Sequence, residues 1–74
     1  MSSSTEAIRE RLMVSDQEFR QLCSEHAGYE AQLKQLSDKR FPSQQDQAQE
    51  VRLKKLKLRA KDQMEQLVHR AMKA

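Results

Sequence analysis

Apolar and aromatic residues recur at Phe19, Leu22, His26, Tyr29, Leu33 and Leu36, at intervals of three and four. That spacing puts every member on one stripe of an α-helix, as the first and fourth positions of a heptad do. The stripe predicts a packing seam along a helix over about residues 16–39. Ser15 precedes it with Glu18 three residues on, the pattern of a reciprocal cap between a hydroxyl and a carboxylate. Asp16 and Glu18 also suit the positive end of the helix dipole.

Proline disfavours helical geometry at the residue before it, so Pro42 stops this helix at or before Phe41. A loop of about residues 40–44 follows, with Ser43 as the next cap and Asp46 three residues on. The second helix is predicted over about residues 45–72. Its seam is Leu53, Leu56 or Lys57, Ala60, Met64, Leu67 and Ala71. A short loop between two long helices makes antiparallel neighbours.

Aligning the seams pairs residues whose numbers sum to about 86. Leu33 then meets Leu53, and Tyr29 meets Lys57 with Leu56 beside it. His26 faces Ala60, Leu22 faces Met64, and Phe19 faces Leu67. On the polar flank Glu18 approaches Arg70, and Glu25 approaches Arg59 and Gln63. Leu22, Leu33, Leu53, Met64 and Leu67 are the expected most-buried side chains.

The N-terminal segment, residues 1–14, reads as flexible, with residues 1–5 polar and frayed. Ile8 and Leu12 lie one turn apart, which allows a short helix over residues 6–13, too brief to persist alone in water. The two-helix pattern also leaves a second apolar strip: Cys23 and Ala27 on the first helix, with Val51, Leu58, Val68 and Met72 on the second. Leu58 stands about 140° round its helix from Leu53, beyond the reach of the first helix. Its cover would be Ile8 and Leu12 of the same chain or a second protomer. The expected fold is therefore all-α: an antiparallel two-helix hairpin over residues 15–74, coiled-coil-like, with a short N-terminal helix as an option on one side.

Composition agrees. Charged residues are 34% and hydrophobic ones 36% of 74, with one Gly, one Pro and no Trp, which suits long exposed helices and not a barrel or sandwich. A single layer of helices this small buries little and gains from a further helix or partner. The lone Cys23 provides no internal disulfide and fits a reducing compartment. No apolar run reaches the roughly 20 residues needed to span a bilayer, and the first residues lack a signal-peptide pattern. A cytoplasmic protein of bacterial type is expected.

Charge is uneven. Residues 1–41 hold six Lys/Arg against seven Asp/Glu, and residues 42–74 hold eight against four. Arg52, Lys54, Lys55, Lys57, Arg59 and Lys61 fall in one run without an acid. Phosphate contact needs such charge, but the run winds around the helix, and a solvated surface is the simpler reading. Base stacking or groove reading would add aromatics or base-edge readers, and the three aromatics include two seam residues.

Cys23 and His26 share a helix face with Glu30 a turn on, yet one cysteine and a distant His69 cannot close a zinc site. His26 reads as a packed imidazole bonded to a neighbour such as Asp62; its alternative role is a pH switch, since an apolar seam resists its protonation. No Gly-rich loop, nucleophile elbow or carboxylate pair is visible, and Cys23 beside His26 lacks an orienting group. No catalytic residue, cofactor site, metal site or small-molecule substrate is expected.

The two seams and the basic run resemble the YdcH-like family of small bacterial proteins, a domain of unknown function. The similarity rests on Phe19, Leu22 and His26 near the start. It continues in Leu53, Lys54, Lys55, Lys57, Leu58, Lys61 and Asp62, and covers about residues 15–70. Ala60, Leu56 and Tyr29 depart from the family's usual Leu, Gln and Leu, a smaller residue opposite His26 with a larger one below. The resemblance implies a helical hairpin in the cytoplasm and no assigned activity.

The functional expectation is an interaction or self-association module, docking an unidentified protein or a second copy through Cys23, Ala27, Val51, Leu58, Val68 and Met72. The alternative is an accessory factor touching nucleic acid or an anionic membrane through the basic run, with nucleic acid the less favoured partner.

Overall fold

The computed structural model describes residues 2–73, with side chains from residue 5 onward; Met1 and Ala74 lie outside the described residues. The chain is all-helical and holds three helices among the described residues: α1 Ser2–Ser15, α2 Gln17–Ser37 and α3 Gln44–Lys73. Thirty residues of α3 at about 1.5 Å per residue account for nearly all of the 48 Å length of a body 48 × 23 × 16 Å.

The third helix corrects the expected two-helix arrangement. The segment before residue 15 is helical from Ser2, including residues expected to fray. Its inward positions are Thr5, Ile8, Arg9 and Leu12, one stripe at helical spacing. Packing supplies the stability that 14 isolated residues would lack.

The cap between α1 and α2 also differs from expectation. Ser15 remains helical and donates its hydroxyl back to the carbonyl of Arg11 at 2.8 Å. Asp16 takes the cap instead, with an extended backbone, and its carboxylate accepts from the N–H of Phe19 at 3.1 Å. A single non-helical residue thus separates two helices. Arg20 closes the other side of the bend, donating to the carbonyls of Met13 (3.1 Å) and Val14 (2.8 Å), which the end of α1 would otherwise leave unpaired.

At the opposite end α2 stops at Ser37, before Phe41 as Pro42 requires, and Asp38 donates to the carbonyl of Lys34 at 3.0 Å. Ser43 and Asp46 form the anticipated reciprocal cap. The Ser43 N–H donates to Asp46 Oδ2 (2.9 Å), and the Asp46 N–H donates to Ser43 Oγ (3.0 Å). Lys39 reaches across the connection to Asp46 Oδ1 at 2.9 Å. The Ser43 N–H, and after it the Lys39 ammonium, hold the Asp46 carboxyl below the ordinary carboxylate range. A lowered folded pKa contributes stability above the unfolded value of about 3.9 and loses it as pH falls through the folded one. The first turn of α3 should therefore fray on acidification below about pH 4, and Asp46→Asn should abolish that step. Amide shifts of residues 43–47 followed through an acid titration check this; identical acid profiles for parent and variant would refute it.

The antiparallel seam of α2 and α3 lies where the heptads place it. Leu22, Leu53, Met64 and Leu67 are buried as expected, together with Phe19 and Ala60. Leu33 is only half-buried, contrary to expectation. Near the connection the inward positions of α3 before Leu53 are Asp46 and Glu50. Leu33 and Leu36 therefore have Leu53 as their one large apolar counterpart, and the seam thins toward that end. The core concentrates at the other end, where Leu12 of α1, Phe19 and Leu22 of α2, and Met64, Leu67 and Val68 of α3 form one cluster.

Candidate docking face

α1 divides the second apolar strip. Val68 is 4% exposed, and half-buried Cys23 packs against the same cluster with Ile8 and Ala71. Burial pushes the Cys23 thiol above its ordinary pKa, and the nearby Arg9 charge offsets this only in part. Ala27 is exposed, and α1 leaves Val51, Leu58 and Met72 exposed by 54, 60 and 52%. The six candidate residues thus do not form one surface. Cys23 and Val68 belong to the core, and the other four face solvent.

Val51, Leu58 and Met72 share a heptad line on the outer side of α3, with Glu65 at the intervening place. A spacing of seven residues keeps a line nearly straight along a helix. Leu58 and Met72 lie about 21 Å apart along it.

The basic run divides as well. Lys57 is half-buried and meets Glu30 at 3.3 Å, and Lys54 meets Glu50 at 2.9 Å. These four residues line one open groove between α2 and α3, so those ammonium groups are matched by carboxylates of the same chain. Arg52, Lys55, Arg59 and Lys61 are exposed and make no ion pair among the described residues. Arg70 and Lys73 extend the exposed cations toward the end of α3. Sequence reading left these two out of the candidate anion contact; Lys73 lies about 100° and Arg70 about 160° round α3 from Met72.

His26 sits in the seam with Nδ1 3.8 Å from Glu30 Oε1, too long for a hydrogen bond. Its expected neighbour Asp62 points away from α2 and is exposed. Glu18 and Arg70 form no ion pair, but Glu25, Arg59 and Gln63 do line a common groove with Tyr29. Among the described residues no group of three or more His, Cys, Asp or Glu is placed to hold a metal ion, and no helix is long and apolar enough to cross a membrane.

A family model described as "Protein of unknown function (DUF465)" matches residues 19–68, from the first buried residue of α2 to the last of α3. No curated protein and no solved structure matches the chain.

Proposed function

The chain belongs to the DUF465 family, whose description assigns no function, and from its geometry we propose that it is a small helical docking module of the cytoplasm and not an enzyme. In this reading α2 and α3 form a coiled-coil-like hairpin that serves as scaffold. α1 braces one end, and the outer face of α3 is the working surface. One observation carries it: Val51, Leu58 and Met72 stay exposed in a single line after α1 has covered Cys23 and Val68. Aligned exposed aliphatics of this kind usually mark contacts. What supports a non-catalytic role is the groove between α2 and α3, where Glu30 and Glu50 are matched by Lys57 and Lys54. The occupant of the face is another protein, a second copy of this chain or an anionic surface. Lys55 and Lys61, exposed on either side of the line and without an ion pair among the described residues, favour the last.

Leu58→Glu tests the face itself. Placing a carboxylate in an apolar contact should weaken capture of soluble and membrane material from cell extract at least about tenfold, a loss of roughly 1.4 kcal/mol. The position is exposed, so helix content and melting temperature should stay within error of the parent. Equal capture by parent and variant, with equal self-association by sedimentation, would overturn the docking reading.

A further inference from the structure

We propose that the outer face of α3 lies on an anionic phospholipid surface, with Val51, Leu58 and Met72 dipping toward the acyl boundary and the flanking cations in the headgroup layer. The inference rests on the docking reading and names the occupant of that face.

The argument begins with how residues distribute around α3. Taking about 100° per residue, Val51, Leu58 and Met72 fall in a sector roughly 60° wide on the side away from α2. Lys54 and Lys61 flank that sector on one side. Lys55 and Lys73 lie about 40° beyond its other edge, whereas Arg59, Arg52 and Arg70 lie about 80–100° beyond it, toward α2, with Arg59 lining a groove beside Glu25 and Tyr29. The four flanking lysines, Lys54, Lys55, Lys61 and Lys73, are all exposed, and among them only Lys54 is engaged by a carboxylate, that of Glu50. Against them the same face carries two acids, Asp62 and Glu65. An apolar line with long cationic side chains on both sides is the pattern of a helix lying in a bilayer interface. Lysine and arginine stems then lie along the apolar layer while their charges reach the phosphates. Each such cation near an anionic leaflet adds an attraction that salt screens.

The rest of the molecule makes this face distinct. α2 carries two cations, Arg20 and Lys34, against Glu18, Glu25 and Glu30, and none of its large apolar side chains is exposed. α2 thus presents a neutral to acidic side and the outer face of α3 a basic, apolar one, while the other exposed large apolar groups, Met13, Val14 and Phe41, lie beyond the two ends of α2. Nucleic acid fits less well. A phosphate backbone gains nothing from three aliphatic groups in the middle of the contact, and α3 presents no aromatic residue to stack on a base. A second copy fits less well too. An antiparallel pairing that sets Leu58 on Leu58 matches Lys54 with Asp62 twice, but it also sets Lys55 on Lys61 twice and Val51 on Glu65 twice, so like charges and unmatched groups outnumber the matched pair.

The test is co-sedimentation with vesicles of phosphatidylcholine containing about 30% phosphatidylglycerol, beside vesicles of phosphatidylcholine alone. The parent should bind the anionic vesicles at least about tenfold more tightly than the neutral ones, and lose that binding as salt is raised. The double variant Val51→Ser/Leu58→Ser keeps every charge, so a purely electrostatic contact would not register it. On the proposal it should weaken vesicle binding about tenfold or more, because buried aliphatic carbons contribute to interfacial affinity. Unchanged binding by this variant, or equal binding to both vesicle types, would overturn the proposal. So would salt-sensitive binding to a labelled DNA or RNA duplex with no vesicle binding, or self-association lost in Leu58→Glu with no vesicle binding. The last two results would leave the docking reading standing with a different occupant. A chain whose vesicle, duplex and self-association behaviour is indifferent to Leu58→Glu would remove both.

Discussion

Phe19→Ala should cost about 3–5 kcal/mol and leave much of the protein unfolded at ambient temperature. Phe19 is 1% exposed and belongs to the cluster that unites all three helices: Leu12 from α1, Leu22 from α2, and Met64, Leu67 and Val68 from α3. Removing its ring takes apolar area from every element at once and leaves a cavity that three rigid helices can fill only in part. A domain of 74 residues has a total stability of roughly 4–11 kcal/mol, so the loss takes a large share of it. Urea denaturation followed by circular dichroism measures the difference. Phe19→Leu, which keeps most of the volume, should cost roughly 1 kcal/mol. A loss below about 1 kcal/mol for the alanine variant would mean that the cluster is not the centre of stability.

Leu12→Asp should detach α1 and leave α2 and α3 folded. Leu12 is the one fully inward apolar residue of α1, with Ile8 half-buried beside it. A carboxylate in that place cannot be paired by the cluster, which holds no buried polar group. A separated helix of 14 residues is marginal in water, so amide shifts of residues 5–15 should move to coil values. Cys23 reports the same event chemically. Packed beside α1, its thiol is partly screened and burial holds its pKa up, so alkylation at neutral pH should be slower than for an exposed thiol. With α1 detached, both restraints go, and the alkylation rate should rise about tenfold or more. The raised thiol pKa also fixes a sign. Its contribution to stability is whole below the unfolded value near 9.0 and is lost as pH rises through the folded one. Leu12→Ala should give a graded form of the same effect, costing about 2 kcal/mol. An unchanged alkylation rate in the aspartate variant would mean that α1 does not shield this side of the molecule.

Both substitutions concern the junction of α1 with α2 and α3, where the sequence is hardest to read. Ser15 and Asp16 are both competent caps, and Glu18 makes Ser15 the better local match. The outcome turns on whether α1 continues to Ser15. That depends on Leu12 and Ile8 finding Val68, Cys23 and Ala71, residues remote in the chain. Once α1 runs to its end, Ser15 is helical and the cap moves one residue on to Asp16.

The spacing of Phe19, Leu22, Leu53, Ala60, Met64 and Leu67 by itself determined which sides of α2 and α3 face each other, because a helix turning every 3.6 residues leaves one apolar stripe and one solvent for it. Pro42, with the Ser43 and Asp46 pair, likewise located the reversal, since those constraints act within a few residues. The family resemblance, too, rested on local blocks that the profile match over residues 19–68 bears out. The fate of the second strip was different. Val68 stands about 60° round α3 from Leu53 and Leu58 about 140°, so spacing alone puts Val68 at the edge of the seam and Leu58 outside it, but does not say that Val68 is covered down to 4% exposure. Only the tertiary structure decided that burial, because Leu12 of α1, tied through the single residue Asp16 to the start of α2, closes over that edge and joins Phe19, Leu22, Met64, Leu67 and Val68 in one cluster.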